Sequence, residues 1–297
     1  MNYQKHPISI EQQIALLKQR GLIIDDEPLA LDSLKVISYF RLADYWRPME
    51  TNHATHSFLP NTHFADVLSC YCFDKQLKVL LFSAIQTIEI AVRTAIIHHF
   101  SMLHGAFWFI DATLFTDQSL FASHLESLNR ELQRSKEEFI KEHYQKYGKT
   151  EFPPAWKTLE VASLGSLSKL YDNFASRATK NLVARDFCVR QSVFLASWLN
   201  CLTVLRNCIA HHSRLWNRRF SIMPQLPSLM PNTWIANNKL RPYKLYPMLC
   251  CITYWLNAID PANTFATDFK ALLARYPNVD SAAIGAPRDW DKEPLWK

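Results

Sequence analysis

QSVFLASWLNCLTVLRNCIAHHSRLWNRR, residues 191–219, decides how this chain is read. It begins apolar and ends rich in arginine and histidine. At the helical period of roughly 100° per residue, Ser197, Asn200, Thr203, Asn207, His211, Arg214 and Arg218 fall on one stripe, with Arg206 at its edge. The other faces carry Val193, Phe194, Leu195, Trp198, Leu199, Leu202, Val204, Leu205 and Ile209. A helix so apolar elsewhere is expected inside a helical protein. Its polar stripe must then face a cleft, a polar network or another subunit, because buried polar groups need partners.

The rest of the chain supports a helical reading. At 297 residues it has ample material for a core, and it contains only five glycines. Its seven cysteines (70, 72, 188, 201, 208, 250 and 251) form no CxxC pair, and several lie in apolar runs. Reduced, buried thiols are expected rather than a disulfide framework or zinc ribbon. The opening MNYQKHPISIEQQ is polar, and runs such as 193–205 are interrupted by Ser, Asn and Thr and fall short of a membrane span. A soluble, cytoplasmic protein with no membrane partner is expected. The net charge is +6, yet Arg177 to Arg219 holds eight Arg and Lys against one acid, Asp186. Such a local field attracts polyanions.

Taken in order, residues 9–20 have a Ser cap and a Gly21 stop, which predict a short amphipathic helix. A second helix is expected near 28–37. The following SYFRLADYWRPM, with Arg41 and Arg47, is too short and mixed to assign, and 51–63 reads as a loop with exposed His53, His56 and His63. From Phe64 to about Ser101 the apolar spacing predicts one long helix, with Asp74–Lys78 and Glu89–Arg93 as i,i+4 ion pairs. Residues 117–147 read as a solvated surface helix that ends before Pro153 and Pro154. Leu164–Phe174 and Lys180–Cys188 should be short helices. A proline-rich loop to Pro247, helices at Tyr246–Ala258 and Thr264–Arg275, and an extended tail anchored by Trp290 and Trp296 complete the chain. The expected architecture is all-α: a helical domain over 1–219, with the loop and C-terminal helices of 220–297 packed on the same domain.

Three constellations compete for chemistry. Arg206 and His211 are separated by four residues, with Asn207 and His211 one turn apart on one face and Arg206 roughly 140° from His211 around the axis. One copy does not aim both groups at one point; two copies about a two-fold axis could pool them around a phosphate. That pairing suits metal-independent RNA cleavage. Imidazole moves protons at the 2′-OH or the leaving 5′-oxygen, and arginine stabilises charge growing on the phosphate. The bland alternative has Asn207 and His211 satisfying each other in a polar seam. The histidines at 98, 99 and 104, or those at 53, 56 and 63, read as surface or satisfied groups rather than metal ligands. Cys208 falls toward the apolar side of the helix and reads as core.

With these residues in view, the chain resembles the Abi-like family of bacterial abortive-infection proteins, in the branch that includes AbiD and AbiF. The carriers are ISYFRLADYWRPM (37–49), YCFDKQLKVLLFSAIQTIEIAVRT (71–94), GAFWF (105–109), PPAWKTLEVASLGSLSKLYDNF (153–174) and LRNCIAHHSRLWNR (205–218). The resemblance implies membership of the HEPN superfamily, helical proteins whose R-x4-6-H motif forms a composite ribonuclease site across a homodimer. It implies Arg206 and His211 as the catalytic pair, Asn207 as the polar residue after the arginine, and no metal or cofactor. His212 meets the looser spacing. The resemblance also leaves room for a bound structured noncoding RNA.

The expectation is therefore a homodimeric endoribonuclease in anti-phage or toxin-type defence. Arg185, Arg190, His212, Arg214, Arg218 and Arg219 are the expected RNA contacts, and Trp216 is the ring expected to stack on a base. The rivals are an RNA-binding protein that holds a structured RNA without turnover, and an interaction protein whose stripe is a dimer seam.

Overall fold

A computed structural model describes residues 6–148, 152–231, 233–236 and 240–297. The chain is all-α, with a two-stranded hairpin as the only sheet among the described residues. Helix α1 (Ile10–Gln19) starts where Ser9 and Gln12 form a reciprocal capping box, and α2 (Glu27–Ile37) starts where Asp26 accepts from the Leu29 amide. The unassigned stretch that follows is a helix, α3 (Tyr39–Trp46), set off from α2 by Ser38 at φ 71°. Its apolar residues Leu42, Tyr45 and Trp46 lie on one buried face. Residues 51–63 are not wholly a loop: β1 (Glu50–Asn52) pairs antiparallel with β2 (Ser57–Phe58). His53 and His56 both lie within hydrogen-bond distance of the buried Glu50 carboxylate.

The organising element is α4 (Phe64–His104), 41 residues and roughly 60 Å long. Its Leu77, Leu81, Ile85, Ile88, Val92 and Ile96 form the spine of the core. The charged stretch after it is two helices rather than one, α5 (Gln118–Arg134) and α6 (Glu138–Tyr147). Ser135 is extended and accepts from the Glu137 amide, a local hydrogen bond that competes with continuing the helix. A single turn, α7 (Ala155–Thr158), leads to α8 (Leu164–Asn173) and α9 (Arg177–Asp186).

Then comes α10 (Ser192–Ala210), which packs between α8, α9, α4 and α11 (Tyr246–Ile259); α12 (Phe265–Arg275) closes on α4. The tail forms short 3-10 turns rather than an extended strand. Trp290 and Trp296 anchor it, and the Trp296 indole donates to the Tyr246 hydroxyl at 3.0 Å. The proline-rich segment crosses the N-terminal half of α10. There Gln225 accepts from the Trp198 indole at 2.7 Å and donates its amide to Ser197 at 2.9 Å. Ser197 is thus occupied in holding this strap, and Thr203 bonds back to the Leu199 carbonyl, so the upper stripe of α10 serves packing. All seven cysteines are free thiols.

By length and composition α4 and α10 could each cross a membrane, contrary to the expectation that no segment reaches that length. Here both are core helices, with α3, α9, α11 and α12 packed around α4.

Candidate functional site

Helix α10 does not run through residue 219. It stops at Ala210 with His211 as its cap and His212 at φ 54°. The Ser213 amide returns to the Cys208 carbonyl at 2.8 Å and the His212 amide to Ile209 at 3.0 Å, the two bonds of a Schellman ending. Arg214 and Arg218 therefore leave the stripe on which helical spacing placed them. The physical reason lies on α4. The Asp74 carboxylate, fully buried, accepts from the amides of Leu215 at 3.0 Å and Trp216 at 2.6 Å, so these amides are not available to an extended α10. Asp74 also accepts from the Tyr45 hydroxyl at 2.7 Å and pairs with Lys78 at 2.8 Å. What the sequence presents as one i,i+4 ion pair is a buried hub joining α3, α4 and the segment after α10.

This hub shapes a cleft of about 280 Å³ between α3 and the end of α10. His211, His212 and Arg214 line one side, and Ser38, Arg41 and Asp44 the other. Arg41 donates to the His212 carbonyl at 2.9 Å and Lys78 reaches it at 3.5 Å, while Arg214 donates to the Asp44 carbonyl. Ser38 and His212, both non-glycine residues at positive φ, flank the same cleft. Such backbone costs about 1–3 kcal/mol per residue and concentrates at functional sites. Burial first, and then the Asp74 carboxylate, hold the Tyr45 hydroxyl far above its ordinary range, so it remains a donor to Asp74.

The expected catalytic residues are open. His211 and Asn207 are exposed, and their side chains make no hydrogen bond to each other or to any described residue. The polar seam in which they would satisfy one another is absent among the described residues. Arg206 is half-buried and also without a side-chain hydrogen bond or ion pair among the described residues. It is not part of the cleft that His211 lines. On α10 it follows the buried Leu199 and Leu202, whereas Asn207 and His211 continue the exposed face of Asn200. A single copy thus keeps Arg206 and His211 on different sides.

The basic residues do not form one patch. Exposed Arg185 and Arg190 precede α10, and Arg214, Arg218 and Arg219 follow it, so the two groups are separated by a helix of roughly 27 Å. The second group is larger than the sequence indicates. Lys244 lies among Arg214, Arg219 and Arg241, and its ammonium is held below its ordinary value by burial and by those cations. Arg41 and Lys78 add two more charges at the cleft. Arg219 stacks over Tyr243 at 5.1 Å, and Arg218 over Phe220 at 5.7 Å.

Trp216 corrects the base-stacking expectation. It is 6% exposed and packs parallel to Tyr45 with ring centroids 6.5 Å apart, so its ring is core. Sequence reasoning missed Asp74, Tyr45 and Arg41 as parts of the site. The only signal was that they lie in the blocks 37–49 and 71–94 that carry the family resemblance. No group of three or more His, Cys, Asp or Glu among the described residues is placed to hold a metal ion.

Set against known proteins, residues 32–217, well over half of the chain, match a family model described as Abi-like protein. No curated protein and no solved structure matches the chain.

Proposed function

The chain belongs to the Abi-like protein family, which points to abortive-infection defence, and from that premise we propose that it is a metal-independent endoribonuclease of the HEPN type. In this reading His211 moves the proton and Arg206 stabilises charge on the scissile phosphate, with Asn207 beside them. The two groups come together in a homodimer, each copy contributing its own α10. Arg41, Arg214, Arg218, Arg219, Arg241 and Lys244 draw the RNA backbone toward the cleft, with Arg185 and Arg190 as a second point of contact a helix length away. One observation carries the reading. His211 stands exposed and unpaired among the described residues as the cap of α10, lining a cationic cleft, while the buried Asp74 carboxylate holds the Leu215 and Trp216 amides of the segment that follows it. A side chain kept only for packing has no need of that arrangement.

The test is RNA cleavage by the wild-type chain, Arg206→Ala and His211→Ala, each in EDTA. Wild-type cleavage should persist, and either variant should lose at least a hundredfold, the scale of losing one proton-transfer or charge-stabilising group. Full activity in either variant refutes the assignment.

A second reading rests on the separation of Arg206 from the His211 cleft within one copy. In it the protein holds a structured noncoding RNA on its basic surface without turnover. It predicts salt-sensitive RNA binding that survives His211→Ala, and no cleavage products.

A further inference from the structure

Phe40 is the most exposed large apolar side chain among the described residues, at 88%. Ser38, at φ 71° and accepting from the Arg41 amide, starts α3 so that Phe40 falls in its first turn. The buried face of α3 is Leu42, Tyr45 and Trp46, and Phe40 lies roughly 160° around the axis from Leu42. The ring therefore takes no part in the core. It lines the cleft that also holds His211, His212 and Arg214. A lone apolar side chain in water is ordinary on a protein surface, so exposure by itself decides nothing. What sets Phe40 apart is its company.

That company is cationic. Arg41 and Arg214 line the cleft with the two imidazoles, against one acid, Asp44, and Lys78 reaches the His212 carbonyl. Each guanidinium is tethered through Nη1 to a backbone carbonyl, of His212 or Asp44, and its Nη2 has no partner among the described residues. Tyr45 also lines the cleft, but it is 2% exposed, gives its hydroxyl to Asp74 and stacks on Trp216. Apart from the imidazoles, Phe40 alone offers an open ring face there. A bare ring beside tethered guanidiniums matches a flat base joined to an anionic phosphate. A second copy of this chain, with its net charge of +6, is a poor match to the same surface.

We propose that Phe40 is the base-stacking platform of the cleft and restricts it to unpaired RNA. The inference rests on the reading above that RNA is what the cleft takes, but it is tested by binding rather than by cleavage. Size agrees with it. At about 280 Å³ the cleft sits just under the about 300–1,000 Å³ of small-ligand pockets, room for one nucleotide and not for a helix of RNA. Within a duplex both faces of each base are covered by its neighbours, so a base reaches Phe40 only after leaving the stack. Once seated, it brings its phosphate to Arg41 and Arg214. Phe40 moves no proton and holds no charge; it selects and positions the nucleotide presented to His211.

The experiment measures, by fluorescence anisotropy, the affinity of the full chain for a short 2′-O-methyl RNA of mixed sequence, free and annealed to its complement. The blocked 2′-oxygen prevents cleavage during the measurement. Wild type, Phe40→Ala and Phe40→Trp are compared over a salt series, with circular dichroism as a folding check. Phe40→Ala should weaken single-strand binding at least about fivefold, the lower end of losing one base stack, and Phe40→Trp should restore it. Duplex binding and the salt slope should not change, because no phosphate contact is lost. Unchanged single-strand affinity in Phe40→Ala overturns the proposal, as does an equal loss on strand and duplex. So does a variant that alters sedimentation but not RNA affinity, which would give the ring to a protein contact. Phe40→Ala that binds and cleaves as wild type removes the platform and leaves the ribonuclease reading standing. Single-strand binding that needs Phe40, with no cleavage of unmodified RNA by the wild type, keeps the platform and removes the ribonuclease reading.

Discussion

Asp74→Ala is the sharpest perturbation of the site's architecture, and its size can be worked from the contacts. The substitution leaves two buried amides, those of Leu215 and Trp216, and the buried Tyr45 hydroxyl without an acceptor. It also leaves the Lys78 ammonium, 13% exposed, without its counter-charge. Each orphaned polar group costs about 1–3 kcal/mol, but they share one site and do not add fully. Removing one partner of a buried ion pair costs about 3–5 kcal/mol, and that is the loss expected here. For a domain stable by about 5–15 kcal/mol the protein should still fold, so the loss is measurable by urea unfolding followed at the helical circular-dichroism band. Hydrogen exchange should localise it, with protection falling across 211–218 before it falls in α11 or α12. Lys78→Met supplies an internal control. If the orphaned ammonium is part of the cost, Asp74→Ala with Lys78→Met should be more stable than Asp74→Ala alone, by about 1 kcal/mol or more. A loss below about 1 kcal/mol with unchanged protection at 211–218 would refute the hub, because no buried acceptor of four groups can be removed so cheaply.

Two further outcomes follow from the same structure. His212→Gly should stabilise the chain by about 1 kcal/mol in thermal or urea unfolding, because glycine takes the left-handed helix end without the steric cost; an unchanged or lower stability would show that the His212 backbone is unstrained. His124 is buried on α5 with its Nδ1 unpaired among the described residues, and burial first, then Lys169, hold its imidazole below the ordinary 6.5. Below that value the unfolded chain takes up a proton that the folded chain resists. This contribution is therefore intact above pH 6.5 and is lost as the pH falls beneath it. His124→Gln should flatten the fall in melting temperature between pH 7 and pH 5, and an unaltered slope would dismiss the residue as its source.

Local patterns made much of this protein legible. The three- and four-residue spacing of Leu77, Leu81, Ile85, Ile88, Val92 and Ile96 specifies α4, because period alone decides which side of a helix is buried. Ser9 with Gln12, and Asp26, mark helix starts through bonds that close within three residues. Arg206, Asn207 and His211 stood out for the same reason, as polar groups on an otherwise apolar helix. Tertiary structure decided where that helix ends. No residue between Ala210 and Arg219 is a glycine or proline, so nothing local stops it. The stop comes from Asp74, more than 130 residues earlier, whose buried carboxylate takes the amides of Leu215 and Trp216. The same bonds turn Trp216 from a surface ring into core and send Arg214 off the stripe. They also shape the cleft that His211 and Arg41 line from opposite sides. Residues 191–219 therefore announced a polar site by periodicity. Its shape depends on hydrogen bonds between segments far apart in sequence, and no local pattern encodes which carboxylate will meet which amide.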